Sequence, residues 1–294
     1  MTIIQLEYFL AVARWQSFSV ASERCFVTQP SLSMQIKNLE NELGLVLIDR
    51  SSKPIKLTDA GRVVETQAKI ALSEFYKVKS VISEMKNDVA GVLRLGVIPT
   101  IAPYLLHKFI PEFTKRYPEV TFEIYEMITP ELIRSLYEDH IDVAIMAGGA
   151  PDDIDEKLVF RDKFYAYVSD SHPLSVKEQL KIEDIQGESL LLLPEGHCLR
   201  DQVLDLCGMK NKYKGGFRFE SGSLQTLMRL VDSTSSMTII PEMCLDSIPS
   251  EKLHRVRKLG NGGYSRPITL SVRWSFVKQA LVEAMHSTIV DVLG

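Results

Sequence analysis

The sequence predicts an α/β region of about two hundred residues, preceded by an all-α helix-turn-helix module with a small hairpin wing and by a long linker helix. Three observations predict this. Apolar residues recur at helical spacing from Leu6 to Leu43. A heptad-like stripe runs from Val64 to Met85. From Val92 onward, short β-rich runs alternate with helices. With 294 residues, 45% of them hydrophobic, the chain can fill more than one core. No run approaches the ~18 uninterrupted apolar residues of a membrane span. The opening segment has no cationic start, so no secretory signal is read. A soluble, cytoplasmic protein with no membrane partner is expected.

In the first module, Leu6, Phe9, Leu10 and Ala13 mark one helix face. A second helix fits Val20–Cys25, with Ser19 as its cap. Thr28 suits the N-cap of a third helix and Pro30 its first turn. Leu32, Ile36, Leu39 and Leu43 form that helix's apolar face, while Pro30, Ser33, Met34, Lys37 and Asn38 face outward. In a helix-turn-helix the start of such a third helix reaches base edges in the major groove. The DNA-facing candidates are Thr28, Gln29, Pro30, Ser31, Ser33, Met34 and Lys37. Gln29 and Gln35 are suited to amide contact with adenine. Val46–Leu57 reads as a hairpin whose Arg50, Lys53 and Lys56 can meet phosphates. The alternative is a small helical subdomain with a solvated polar face.

The net charge of -4 argues mildly against nucleic acid, but its distribution matters more. Residues 1–60 carry six basic and six acidic side chains, and the acidic excess lies farther along. Thr58 can cap the next helix. Along it Val64, Ala68, Ala71, Phe75, Val78, Ile82 and Met85 are spaced by alternating steps of four and three, the seam of a short coiled coil. That predicts a homodimer, whose two heads would read a two-fold site. The alternative is a helix packed on its own domain.

In the α/β region the strand candidates are Val92–Val97, Val120–Tyr125, Val143–Met146, Phe164–Val168, Leu190–Leu193, Phe217–Phe219, Met237–Ile240 and Ile268–Val272. They are expected to run mainly parallel, with helices such as Pro103–Tyr117 and Pro130–Asp139 between them. Thr100 and Thr129 follow the first two strands, where open α/β sheets gather ligands. Read alone, each is equally an ordinary N-cap.

There are four cysteines, at 25, 198, 207 and 244. They form neither a disulfide scaffold nor a CxxC pair, so no metal or cofactor is expected. Inert core packing is the default for all four, Cys198 included. Against it, His197 and Arg200 flank Cys198, and a nearby cation or helix N-terminus lowers a thiol's pKa from its usual ~8.5. Cys207 lies nine positions on. Nine residues of continuous helix span about 13 Å, whereas a disulfide needs Cα atoms within roughly 7 Å. If the two pair, the intervening segment refolds.

The runs LEYFLAVA, QPSLSMQIKNLENELG and LTDAG, over residues 1–62, resemble the DNA-binding domain of LysR-type regulators. The segments IPTIAPYLL and EGHCLRDQ, with a second cysteine nine residues on, resemble the OxyR peroxide sensors within that family. The resemblance implies two Rossmann-like, periplasmic-binding-protein-like subdomains, with the chain crossing between them near 162 and near 267. The domains are then 1–58 (winged helix-turn-helix), 59–90 (dimerisation helix) and 91–294 (regulatory). Subdomain I is 91–162 plus 268–294, and subdomain II is 163–267. It implies a peroxidatic Cys198 and a resolving Cys207. It also implies a peroxide pocket with Thr100, Thr129, His197 and Arg266. The implied partners are double-stranded promoter DNA, a second copy in a dimer or tetramer, RNA polymerase, hydrogen peroxide, and thiol reductants that reset the switch. The expected role is a redox-responsive activator of antioxidant genes, not an enzyme.

Three rivals remain at this point. One is a LysR-type regulator of a small metabolite bound between the effector subdomains, with Ser221-Gly222-Ser223 as an anion-binding turn. Another is a thiol peroxidase. The third, a solute-binding protein, is disfavoured by the N-terminal module.

Overall fold

The computed structural model describes residues 1–85, 89–185, 190–208, 223–260, 263–273, 276 and 279–294. The chain forms two compact units, Met1–Lys86 and Asn87–Arg273 with Lys278–Gly294. Among the described residues no helix is long and apolar enough to cross a membrane.

The first unit starts with α1 (Ile3–Trp15), opened by a reciprocal cap between Thr2 and Gln5. α2 (Phe18–Arg24) starts earlier than expected. Its cap is Ser17, whose Oγ accepts from the Val20 N–H, and not Ser19. α3 (Gln29–Leu43) begins where the sequence places it, with Thr28 Oγ1 accepting from the Ser31 N–H. Such a cap contributes about 1 kcal/mol. Leu6, Phe9, Leu10, Leu32, Ile36 and Leu39 meet in one core. The wing is β1 (Ile48–Asp49) paired antiparallel with β2 (Lys56–Leu57).

α4 (Asp59–Met85) follows, and Thr58 Oγ1 caps it by accepting from the Gly61 N–H. Its stripe departs from the expected seam. Ala68 is buried and Val64 half-buried, both against the core of their own unit, because the first turns of α4 lie on the three-helix module. Ala71, Phe75 and Val78 are exposed. The side chains of Ile82 and Met85 lie outside the described residues.

The second unit is built on a mixed sheet in the order β4-β3-β5-β10-β6-β9-β7, with β8 also paired to β6. β3 (Gly91–Val97) lies between β4 (Val120–Glu126) and β5 (Val143–Met146), and the three are parallel. The crossovers are α5 (Ala102–Arg116) and α6 (Thr129–Tyr137). β6 (Ile154–Val168) then carries the chain into the other half of the unit. That half holds β7 (Gln179–Leu180), α7 (Ile182–Ile185), α8 (Cys198–Leu206), α9 (Leu224–Ser233), β8 (Met237–Pro241) and β9 (Val256–Leu259). β10 (Ser265–Arg273) returns and α10 (Gln279–Leu293) packs beside α5.

The expectation of a mainly parallel sheet is corrected. Outgoing β6 and returning β10 lie side by side in opposite senses, and β8 and β9 add to β6 antiparallel. Arg266 and Asp162, at the two expected crossings, are register partners. Of the expected strands, Leu190–Leu193 is reduced to a single bridge from Leu190 to Met237. Phe217–Phe219 lies outside the described residues.

Candidate functional site

On the first unit, Gln29, Pro30, Met34 and Lys37 are exposed, and Ser31 and Ser33 half-buried, at or near the start of α3. Ser19 Oγ–H donates to Gln29 Oε1 (2.9 Å). Gln35 turns inward, its Oε1 accepting from Gln5 Nε2 (3.4 Å), so an adenine contact is not available to it in this rotamer. Arg50 is engaged at home: Nη2 bonds Glu40 (3.0 Å) and the guanidinium lies over the Phe18 ring. Lys53 stands exposed at the wing tip. Sequence patterning does not point to Phe26. It occupies the turn before α3 with 94% of its surface exposed and a left-handed backbone (φ 55°).

In the second unit, the loops after β3, β4 and β5 leave the sheet on one edge, since the three strands are parallel. Thr100 and Thr129 stand in or just after two of these loops, yet neither side chain caps its helix. The N-caps are Ile101 and Ile128, without side-chain cap bonds. The threonine oxygens are therefore available for other work, and they go to different places.

Thr129 joins Cys198. A cleft of about 540 Å³ is lined by Thr129, Pro130, Ile133, the 147–149 loop, Gly196, Cys198, Asp201, Gln202 and Asp205. Cys198 is the first residue of α8, where free backbone N–H groups favour an anion. Gly196 must be glycine: its φ is +91° and a Cβ would come within 2.7 Å of Ile128 Cδ1. That close approach seats the 194–198 turn against the loop leading to Thr129. Gln202, one helical turn beyond Cys198, shares its face. Gln202 Nε2–H donates to the Ala147 carbonyl (2.9 Å), tying α8 to the loop after β5. Thr129 Oγ1 and Gln202 Oε1 are both buried with no hydrogen-bond partner among the described residues.

Thr100 joins Arg266 instead. Arg266 Nη1–H donates to Thr100 Oγ1 (2.8 Å), and Nε and Nη2 grip Asp162 Oδ2 (3.0 and 2.9 Å). The Met243 N–H donates to Asp162 Oδ1 (3.1 Å). Arg266 and Asp162 have no exposed side-chain surface. Burial raises the Asp162 carboxyl above its ordinary range, and the Arg266 charge opposes that rise. Among the described residues, Arg266 thus answers a carboxylate and a threonine, not the Cys198 sulfur.

His197 is the N-cap of α8 and is buried. Burial lowers its pKa, so near pH 7 it is a neutral imidazole and not the cation that its place beside Cys198 suggests. The Arg200 guanidinium is turned to the Leu193 carbonyl (3.2 Å). Cys207, at the other end of α8, is fully buried, and burial pushes its thiol up to about 11. Cys198 and Cys207 carry thiols here, not a disulfide. Cys244 is buried with burial raising its thiol, and Cys25 is half-buried. No group of residues that could hold a metal ion occurs among the described residues.

The comparisons with known proteins fit this layout. Residues 3–62 match the bacterial regulatory helix-turn-helix model of the lysR family, and residues 86–294 match its LysR substrate binding domain. The chain belongs to the LysR family. Within it, the chain is 34% identical to the hydrogen peroxide-inducible genes activator of Haemophilus influenzae, over 83% of this chain and 81% of that one. Two solved OxyR structures are similar over nearly the whole chain. A cysteine-to-aspartate variant of full-length OxyR from Pseudomonas aeruginosa is 32% identical (TM-score 0.61, covering 98% and 99% of the two chains). A cysteine-to-serine variant from Corynebacterium glutamicum, with hydrogen peroxide bound, is 28% identical (TM-score 0.63, covering 99% and 92%). These relatives place the chain in the OxyR group of the LysR family.

Two residues of these clusters are not evident from the sequence. Gln202 has a signal, its i+4 spacing from Cys198. Asp162 has none, since a single carboxylate inside a long strand does not reveal its partner.

Proposed function

We propose that this LysR-family protein is a DNA-binding transcription regulator whose signal is the oxidation of Cys198 by hydrogen peroxide. The observation that carries the reading is the thiol at the start of α8, facing a cleft where Thr129 Oγ1 and Gln202 Oε1 lack partners among the described residues, with a second thiol at the far end of the same helix.

The Cys198 thiolate attacks one peroxide oxygen. An S–O bond forms, the O–O bond breaks, and hydroxide leaves and is protonated to water, giving a sulfenic acid. Thr129 orients the peroxide, with the α8 N-terminus stabilising the developing negative charge. Thr100 and Arg266 contribute through the loop after β3, which they hold. His197, neutral, is a hydrogen-bonding wall. Cys207 then displaces water from the sulfenic acid to form a disulfide. Because α8 holds the two residues about 13 Å apart along its axis, closure requires α8 to unwind. Thiol reductants return both cysteines to thiols. Each chain is oxidised once per cycle, which makes it a switch and not an enzyme.

The same reading assigns residues 1–58 to promoter DNA, 59–90 to dimerisation through Ala71, Phe75 and Val78, and 91–294 to sensing. The sensing subdomains divide at 162/163 and 267/268. Contact with RNA polymerase, tetramer formation and a cytoplasmic location belong to it as well.

Footprinting on a promoter with reduced and peroxide-treated protein tests it. The footprint is expected to change on oxidation in the parent protein and to stay fixed in Cys198→Ser. Mass spectrometry is expected to find a 198–207 disulfide, replaced by a sulfenic acid at 198 in Cys207→Ser. A Cys198→Ser protein that still switches defeats the scheme.

A further inference from the structure

The Cys198 cleft is larger and less polar than hydrogen peroxide requires. Two oxygens occupy about twice the ~30 Å³ share of a liquid water, against a cleft of about 540 Å³. Its polar demand is small and local. Two of the lining residues carry a buried polar atom without a hydrogen-bond partner among the described residues, Thr129 Oγ1 and Gln202 Oε1. Gln202 Oε1, a carbonyl oxygen, can only accept, and its Nε2 already donates to Ala147. Thr129 O–H can donate. One O–H donor and one acceptor satisfy both, and a single –OOH group supplies them. Beyond these two atoms the lining continues through Pro130, Ile133 and Ala147, which offer carbon surface. No lysine, arginine or histidine is among the described lining residues, and Asp201 and Asp205 add two carboxylates, so an anionic tail is disfavoured.

We infer that Cys198 takes uncharged alkyl hydroperoxides as well as hydrogen peroxide, the –OOH group held between Thr129 and Gln202 and a short alkyl group lying on Pro130, Ile133 and Ala147. This rests on the peroxide reading above and extends it to a second substrate class. The Cys198 thiolate attacks the terminal oxygen of R–O–OH. The S–O bond forms as the O–O bond breaks, and the two electrons of the thiolate reduce the peroxide. The alkoxide leaves and takes up the proton released by the thiol, giving the alcohol ROH and a sulfenic acid. The oxidised sulfur and the switch that follows are then the same as with hydrogen peroxide.

The test measures sulfenic acid formation at Cys198 in full-length protein carrying Cys207→Ser, with hydrogen peroxide, ethyl hydroperoxide and tert-butyl hydroperoxide in parallel. Ethyl hydroperoxide is expected to react within about tenfold of hydrogen peroxide, the equivalent of one modest interaction. Ile133→Trp fills the apolar wall and is expected to lower the ethyl-to-hydrogen peroxide rate ratio by about tenfold or more. Ile133→Ala opens it and is expected to raise the tert-butyl-to-hydrogen peroxide ratio. The pair moves the ratios in opposite directions, so poor folding of one variant leaves the other decisive. The inference is overturned if hydrogen peroxide reacts quickly while ethyl hydroperoxide is more than about a hundredfold slower. It is equally overturned if both ratios ignore position 133. A Cys198 that reacts with none of the three overturns the peroxide reading itself.

Discussion

Asp162→Asn removes one charge from a pair whose side chains have no exposed surface. The Arg266 guanidinium remains in place. It would be left buried with Thr100 and a neutral amide in place of two hydrogen bonds to a carboxylate oxygen. Removing one member of a buried ion pair costs about 3–5 kcal/mol, because the other charge remains uncompensated. The retained bond to Thr100 Oγ1 places the cost near the lower end, about 3 kcal/mol. For a region of this size each kcal/mol moves the melting temperature by about 2–4 °C, so the shift is about 6–12 °C downward. Thermal unfolding followed by circular dichroism measures it. The double change Asp162→Leu with Arg266→Met is expected to recover most of the loss, since no charge is then stranded. A shift below about 3 °C for Asp162→Asn refutes the reasoning, and so does a double variant no more stable than the single one.

Lys53→Ala is expected to weaken binding to every DNA sequence and to reduce the salt dependence by about one counterion, measured by titration at several salt concentrations. Ser33 or Gln29 substitutions should instead change which sequences are bound, by about 1–3 kcal/mol for each base pair no longer read, measured by competition between promoter variants. Phe26→Asn is expected to raise the melting temperature of the N-terminal unit, because asparagine tolerates the left-handed backbone that costs other residues roughly 1–2 kcal/mol; unchanged or lower stability goes against that strain. Asp170 is held below its ordinary range by hydrogen bonds from Arg255 and then His254. For Asp232, burial alone would raise the carboxyl, but bonds from Lys252, Tyr167 and Arg255 outweigh it. A depressed carboxyl contributes stability above its unfolded value of about 3.9 and loses it as the pH falls through the folded value. Arg255→Met should therefore flatten the acid limb of a stability–pH curve; a limb of unchanged slope would exclude these carboxylates as its cause.

Local chemistry in the sequence carries the first unit almost to the residue. Thr28, Pro30 and the Leu32–Ile36–Leu39 face place α3, because caps and periodicity act within one helix. Ser17 and Ser19 are both plausible caps for α2, and only the fold chooses Ser17. The stripe on α4 is legible as apolar but not as to its partner: Val64 and Ala68 turn to their own core, and spacing alone does not say which surface a helix face meets. In the sensing unit Cys198 and Thr129 are 69 positions apart in the sequence, yet they line one cleft. The parallel β3–β4–β5 arrangement brings Thr129 there, and α8 meets it from the other half through Gly196 against Ile128 and Gln202 on Ala147. Arg266 is marked out by the family resemblance alone, and its carboxylate and its distinct neighbourhood follow from the β6–β10 register.

That pair of strands also limits how the protein can answer its signal. β6 and β10 pair antiparallel from Arg273–Ile154 to Ser265–Lys163, save one bulge at Ile268, so their ladder ends just past the crossing between the halves. The Lys108–Asp246 ion pair and the Asp162–Met243 bond fasten the halves again. Any motion of one half against the other passes through the end of that ladder. The short helix between the two thiols stands outside the ladder, so its unwinding would change the surface contour there while every β6–β10 bond stays whole.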